Sequence, residues 1–128
     1  MNVLDENVSE GQYEILRSRR VSIRQIGLDL GRNGMQDEEV IPLLHRLGQP
    51  TFFTLDMDYY KRHWCHEGYC LVYLDIRENL VADYVRRVLR HRELNTKAKR
   101  CGLVLRALPT GLTFWRVHQA DEGHLAWQ

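Results

Sequence analysis

Carboxylates recur at three places in this 128-residue chain where a strand should end or a helix should begin. "LDENV" sets Asp5, Glu6 and Asn7 directly after the apolar start Asn2 to Leu4, and "DEEV" sets Asp37, Glu38 and Glu39 before the helical positions Val40, Leu44 and Leu47. "TFFTLDMD" sets Asp56 and Asp58 after an apolar run. Clustered acids repel one another and raise each other's pKa, and a divalent cation relieves that repulsion. Mg2+ or Mn2+ suits such a group. Both take oxygen ligands, usually a few carboxylates plus waters, and can activate a water or clamp the oxygens of a phosphodiester. Each acid also has an ordinary reading: Asp37 as an N-cap, Asp5 as a turn cap, Asp56 and Asp58 as turn residues. Metal chemistry requires the three segments to converge.

The elements that would bring them together can be read in order. Asn2 to Leu4 suggests a short buried strand. Ser9 and Gln12 have the S-x-x-Q form of a capping box before Tyr13, Ile15 and Leu16. "VSIRQI" suggests a second strand with a polar alternate face, followed by a glycine-bearing loop from Gly27 to Gly34. Asp37 stands at the expected N-cap of a helix that Gly48 ends, with Pro42 deep enough to make its start irregular or to kink it. "PTFFTLD" and "YCLVYLDI" read as buried strands, and Leu80 to Leu89 as an amphipathic helix. "LVLRAL", "PTG" and "LTFWRV" read as a terminal hairpin. This alternation predicts one α/β domain over residues 1–128, a three-layer fold with a mostly parallel central sheet and a C-terminal β-hairpin. In such sheets functional groups gather beyond the carboxyl ends of the strands, where Asp5, Asp56 and Asp58 are expected.

Apolar residues form 44% of the chain and charged residues 27%, the balance of a globular domain rather than a disordered one. There is no basic and apolar leader pattern and no apolar run near the roughly 20 residues of a membrane span, so the chain reads as cytoplasmic with no membrane partner. Three cysteines, Cys65, Cys70 and Cys101, fit a reducing compartment better than a disulfide framework. "HWCHEGYC" offers zinc-ligand residue types without a second ligand pair, and reads as a structural loop. Net charge is only +1, but residues 1–76 hold eight basic against twelve acidic side chains, and residues 77–106 hold nine against three. The basic part, including Arg86, Arg87, Arg90, Lys97 and Lys99, suits RNA phosphates, an acidic partner or a solvated face. Phe114 and Trp115, on an expected edge strand, and Trp127 are candidates for a homodimer or partner contact.

Taken as an ordered set, "LDENV", "DEEVIPLLHRLGQPTFFTLDMDYY" and "CLVYLDI" resemble the short PIN-like domains of bacterial toxin-antitoxin pairs, relatives of the VapC-type ribonucleases. The resemblance spans roughly residues 2 to 90, leaving the basic helix and terminal hairpin, 77–118, partly beyond it. It implies a toxin component that acts as a Mg2+- or Mn2+-dependent endoribonuclease, with RNA as substrate and a cognate antitoxin as partner. Asp5, Asp37, Asp56 and Asp58 would be the catalytic acids and metal ligands, Thr54 would orient a carboxylate or water, and Glu6, Asn7 and Glu38 would be auxiliary. Two departures stand out. The family's further acid before the Asp37 position is replaced by a glycine loop with Asp29, and Tyr59 stands where the family usually has Phe. A depleted site of this kind also fits a non-catalytic binding module. A phospho-receiver shares the acids after the first and third strands, here Asp5 with Glu6, and Asp56. It lacks support later, where a hydroxyl and a lysine are wanted and Asp75 and Pro109–Thr110 stand.

Overall fold

A computed structural model describes residues Met1–Gln128. Strands β1 (Asn2–Leu4), β2 (Ile23–Gln25), β3 (Thr51–Thr54), β4 (Cys70–Leu74), β5 (Leu103–Leu108), β6 (Gly111–Arg116) and β7 (Gly123–Leu125) form one seven-stranded sheet in the order β2-β1-β3-β4-β5-β6-β7. The first five are mutually parallel, and β6 and β7 are antiparallel to their neighbours. Helices α1 (Glu10–Ser18) and α3 (Val81–Arg90) cover one face, while α2 (Asp37–Arg46) and the segment after β3 cover the other. A short α4 (Lys97–Arg100) precedes β5. The three-layer α/β expectation holds at this level, with a mostly parallel sheet and the Leu103–Arg116 hairpin.

Central parallel strands are buried on both faces and therefore read as unbroken apolar runs. Val3 and Phe52 face the α2 side, Leu4 and Phe53 the α1 and α3 side, and all four are fully buried. Leaving β1 the chain moves to β2 on one side, and from β3 it proceeds to β4 on the other. The sheet therefore changes direction between β1 and β3, and the carboxyl ends of these two strands flank the switch point.

Several local expectations shift. Ser9 caps α1 through its hydroxyl, which accepts from the Gln12 N–H, but the Gln12 side chain does not return to close the box. Instead its Oε1 accepts from the Ala82 N–H, an otherwise unpaired donor in the first turn of α3. The N-cap of α2 is Gln36, not Asp37, with Glu39 closing the box; Asp37 is the first helical residue. That helix runs through Pro42. Strand β7 was not foreseen, and it changes the fate of the aromatic residues. Strand β6 lies inside the sheet rather than at its edge. Phe114 packs into one core and so closely over Gly123 that a Cβ there would sit 2.3 Å from the ring, while Trp115 packs into the other. Trp127 lies against Tyr84 and donates to the Leu108 carbonyl at 2.6 Å. These rings are therefore partly buried within the chain, each packed against one of its cores, and neither Phe114 nor Trp115 stands on the edge strand.

The basic stretch is not one surface either. Arg100 is buried, with Nε donating to Thr51 Oγ1 at 2.9 Å and Nη1 to the Leu94 carbonyl at 2.7 Å. Lys99 closes its own loop through the Arg92 carbonyl and Asn95 Oδ1. All three cysteines are free, and no helix is long and apolar enough to cross a membrane.

Candidate functional site: a carboxylate edge at the switch point

Asp5 is the residue after β1, and its backbone N–H donates to the Phe53 carbonyl at 2.9 Å, which continues the β1 and β3 ladder by one step. That step sets Asp5 beside Thr54, the last residue of β3. The Thr54 hydroxyl donates to Asp5 Oδ2 at 2.7 Å, and the Glu6 N–H donates to Asp5 Oδ1 at 2.8 Å. Thr54 is fully buried and Asp5 only 8% exposed. Thr54 Oγ1 also accepts from the Asp56 N–H at 3.0 Å, so one hydroxyl fixes a carboxylate from β1 and the backbone after β3.

Asp56 begins a 3-10 turn at Met57–Tyr59 and caps it, Oδ1 accepting from the Asp58 N–H at 2.9 Å. This leaves the other Asp56 oxygen free of protein donors. The turn directs Tyr59 inward, where its ring meets Phe52 edge-on with centroids 5.2 Å apart. Its hydroxyl faces the Asp37 carboxylate, in the first turn of α2, without a hydrogen bond of ordinary length between them. Burial and then the Asp37 carboxylate, with Asp5 and Asp56 beyond it, hold the Tyr59 phenol protonated far above the ordinary phenol range.

Asp5, Asp37 and Asp56 therefore act electrostatically on one phenol, although they come from three segments. Burial pushes the Asp5 carboxyl above its usual range; the Thr54 and Glu6 hydrogen bonds oppose this, and the charges of Glu6 and Asp56 add to it. No Lys or Arg forms an ion pair with any of these acids, the ion pairs of the chain being Arg19–Asp83, Arg32–Glu39 and Arg106–Asp75.

Support comes from Gln25, which sequence reasoning did not single out, and from the Tyr59 hydroxyl, whose placement it did not anticipate. Gln25, buried at the end of β2, spends both amide hydrogens on the turn after β1, donating to the Asp5 carbonyl at 3.1 Å and the Val8 carbonyl at 2.8 Å. It reads as polar in a strand, and only the strand order reveals the buried turn beside it. Tyr59 was legible as a packing ring, but its hydroxyl gains a role only once α2 is seen above it. Glu6 accepts from the Gly34 N–H at 2.9 Å with both oxygens and ties the glycine loop to the site. At Gly34 a φ of +81° permits that approach.

Other predicted residues lie apart. Asp58 is exposed and engages the site only through its backbone N–H. Glu38 and Asn7 are exposed and make no hydrogen bond with a site residue, and Glu39 pairs with Arg32. Asp29 accepts from the Tyr13 hydroxyl at 2.6 Å and the Gln25 N–H at 3.0 Å, so it belongs to the outer side of β2 and does not replace the absent acid. Arg86, Arg87 and Arg90 occupy the second half of α3, a ten-residue helix about 15 Å long that starts after the carboxyl end of β4.

The edge is shallow: none of the molecule's five cavities is lined by Asp5, Thr54 or Asp56. No three Asp, Glu, His or Cys side chains anywhere in the chain are gathered as a ready-made metal cluster. Short of such a cluster, Asp5 and Asp56, joined through Thr54, offer oxygen-only donors with spare lone pairs and no cationic side chain paired to them. That chemistry fits Mg2+ or Mn2+ rather than a thiophilic metal. Against family models, curated proteins and solved structures, the chain matches none.

Proposed function

We propose that this chain is a reduced PIN-like, Mg2+- or Mn2+-dependent endoribonuclease and the toxin of a toxin-antitoxin pair. The observation carrying this reading is the buried Asp5 carboxylate, held by Thr54 next to Asp56 at the switch point with no protein cation to neutralise it. Keeping the buried Asp5 carboxylate beside other acids without a cationic partner is costly for folding. Function explains their retention better than stability does.

Asp5 and Asp56 would hold the cation, with Asp37 the third acid. When bound, Mg2+ or Mn2+ supplies Lewis-acid activation of water and neutralises charge on phosphodiester oxygens. Thr54 positions Asp5 by donating to one oxygen, leaving lone pairs on both. Tyr59, kept protonated, presents its hydroxyl to the Asp37 carboxylate. The open edge suits a polymeric substrate, which needs access along its length rather than an enclosed pocket. Arg86, Arg87 and Arg90 of α3, with Lys97 of α4, would add sequence-independent phosphate contacts. RNA cleavage that requires the metal and vanishes in Asp5→Asn tests the nuclease. Growth arrest on expression, relieved by the product of an adjoining gene, tests the toxin role.

The strand order favours one other reading, since β2-β1-β3-β4-β5 is the order of doubly wound receiver-like sheets. The strand ends oppose it. Asp75 follows β4, where it pairs with Arg106 at 2.6 Å, and Pro109–Thr110 follow β5, so the expected hydroxyl and lysine are absent. A phosphoryl adduct on Asp56 after treatment with a small phosphodonor would favour that reading.

A further inference from the structure

Away from the carboxylate edge, the second half of α3 sets three arginines along one open cavity of about 460 Å³, lined by Arg86, Arg87 and Arg90 together with His91 and Gln128. A cavity of this size falls in the range of small-ligand sites. None of the three arginines pairs with a carboxylate. The acid on the cavity wall, Asp83, is engaged elsewhere, its Oδ1 lying 3.0 Å from Arg19. Arg86 Nε is buried and has no hydrogen-bond acceptor, and it is the one buried side-chain polar atom of the chain in that condition. An orphaned buried donor costs roughly 1–3 kcal/mol; this Nε has no exposed surface of its own, so a ligand in the cavity would be met by the terminal N–H groups of the guanidinium.

Aromatic rings hold the middle group in place. The Arg87 guanidinium carbon lies 4.1 Å from the Trp127 ring centre and 4.8 Å from that of Tyr84. Stacking of this kind fixes the plane while leaving N–H edges free for hydrogen bonding. Gln128 accepts from the Arg92 N–H through Oε1, which turns its amide nitrogen into a further donor. His91 forms part of the wall, with Nε2 meeting the Ala126 carbonyl and Nδ1 accepting from the Glu93 N–H.

We propose that this cavity is a phosphate-binding site, separate from the carboxylate edge, that takes the phosphate of a nucleotide or of an RNA strand. Three guanidinium forks present more N–H donors than the two oxygens of a carboxylate can accept, whereas a phosphate offers three or four oxygens. Spacing agrees, because Arg86 and Arg90 share one helix face at i and i+4 and Arg87 flanks them. For an RNA strand this inference rests on the nuclease reading and gives the α3 contacts a defined site; for a free nucleotide it goes beyond that reading.

The test is a titration of the full chain, labelled with nitrogen-15 in arginine, at constant ionic strength, following the Nε–H signals. The probes are inorganic phosphate, adenosine monophosphate, a short oligoribonucleotide and a glutamate-rich peptide. Expected is a saturable shift at Arg86 with at least one phosphate-bearing probe, weakened tenfold or more by Arg86→Gln and by Arg90→Gln, and unchanged by Asp5→Asn. Because Arg90 is exposed, its variant tests the site even if Arg86→Gln misfolds. Saturation by the monophosphate and inorganic phosphate assigns a free nucleotide; saturation by the oligoribonucleotide alone assigns the RNA backbone. No saturable shift with any phosphate probe, an unweakened shift in the folded variants, or a response to the glutamate peptide alone would overturn the proposal. Loss of cleavage with phosphate binding intact would count against the nuclease reading only.

Discussion

Thr54 donates its hydroxyl hydrogen to the Asp5 carboxylate at 2.7 Å, joining the ends of two adjacent parallel strands. Both residues are buried, so the bond is shielded from water, and the same Thr54 oxygen accepts the Asp56 N–H. Removing the hydroxyl therefore affects two strands together.

Thr54→Val keeps the branched shape and deletes the donor. A hydrogen bond to a charged group contributes about 1.5–3 kcal/mol, and the Asp56 N–H is orphaned as well. The variant should lose about 2–3 kcal/mol in urea unfolding at neutral pH. In a double-mutant cycle with Asp5→Asn, most of that loss should be shared between the two sites. Additive losses would mean that the pair does not couple.

Asp5 also sets a pH dependence. Its carboxyl titrates above the ordinary value of 3.8 because burial disfavours the charged form. With the folded pKa above the unfolded one, its contribution is fully present below the unfolded value and is lost as pH rises through the folded value. In the metal-free protein, Asp5→Asn should therefore be more stable than the parent at pH 7, and this advantage should shrink as pH falls toward 4. An advantage that instead grows on acidification would show that Asp5 is stabilised as a carboxylate. Adding Mn2+ or Mg2+ should raise the melting temperature of the parent and leave Asp5→Asn unmoved.

Arg100 separates basic residues that build the fold from those available to a ligand. Arg100→Ala should cost about 2–4 kcal/mol, since it strips Thr51 and the Leu94 carbonyl of their donor and opens a void. Arg90→Ala, at an exposed position without an ion pair, should stay within about 0.5 kcal/mol. Chemical denaturation of the two variants checks this contrast.

Tyrosine ionisation reports on the carboxylate edge from the other side. Tyr59 should remain protonated throughout the range in which the native fold survives, whereas Tyr69, raised by burial to about 12, sets the upper end of what can be followed. Ultraviolet titration of Tyr59→Phe against the parent should show no missing native-state transition. A transition near the ordinary phenol value that disappears in the variant would place Tyr59 in water, away from Asp37.

Much of the sheet was legible in the sequence because buried parallel strands declare themselves as short apolar runs, as "VL", "TFFT" and "CLVYL" do here. The convergence of Asp5 with Asp56 was legible too, because strand ends share one edge. Strand β7 was not: "GHL" is three residues with one exposed histidine, and it pairs only because β6 offers a ladder. The cap of α2 moved by one residue because a glutamine can take the capping role through a reciprocal box with Glu39. Gln25, the Tyr59 hydroxyl and the redirected Gln12 amide were illegible for a shared reason. Each contact joins residues far apart in sequence, and neither periodicity nor local motif encodes it. The basic run misled for the opposite reason: composition counts Arg100 as surface charge, whereas its donors are consumed inside the fold.

The central claim is that the carboxylate edge cuts RNA with a divalent cation. It is tested most directly by incubating purified protein with a mixed RNA substrate in Mn2+ or Mg2+, alongside Asp5→Asn, Asp56→Asn, an EDTA control and the folded Asp29→Asn variant. Cleavage by the parent and Asp29→Asn that is abolished by EDTA and lost in both Asp5→Asn and Asp56→Asn is the predicted result. An inert parent with metal present, or cutting that survives both substitutions, would contradict it.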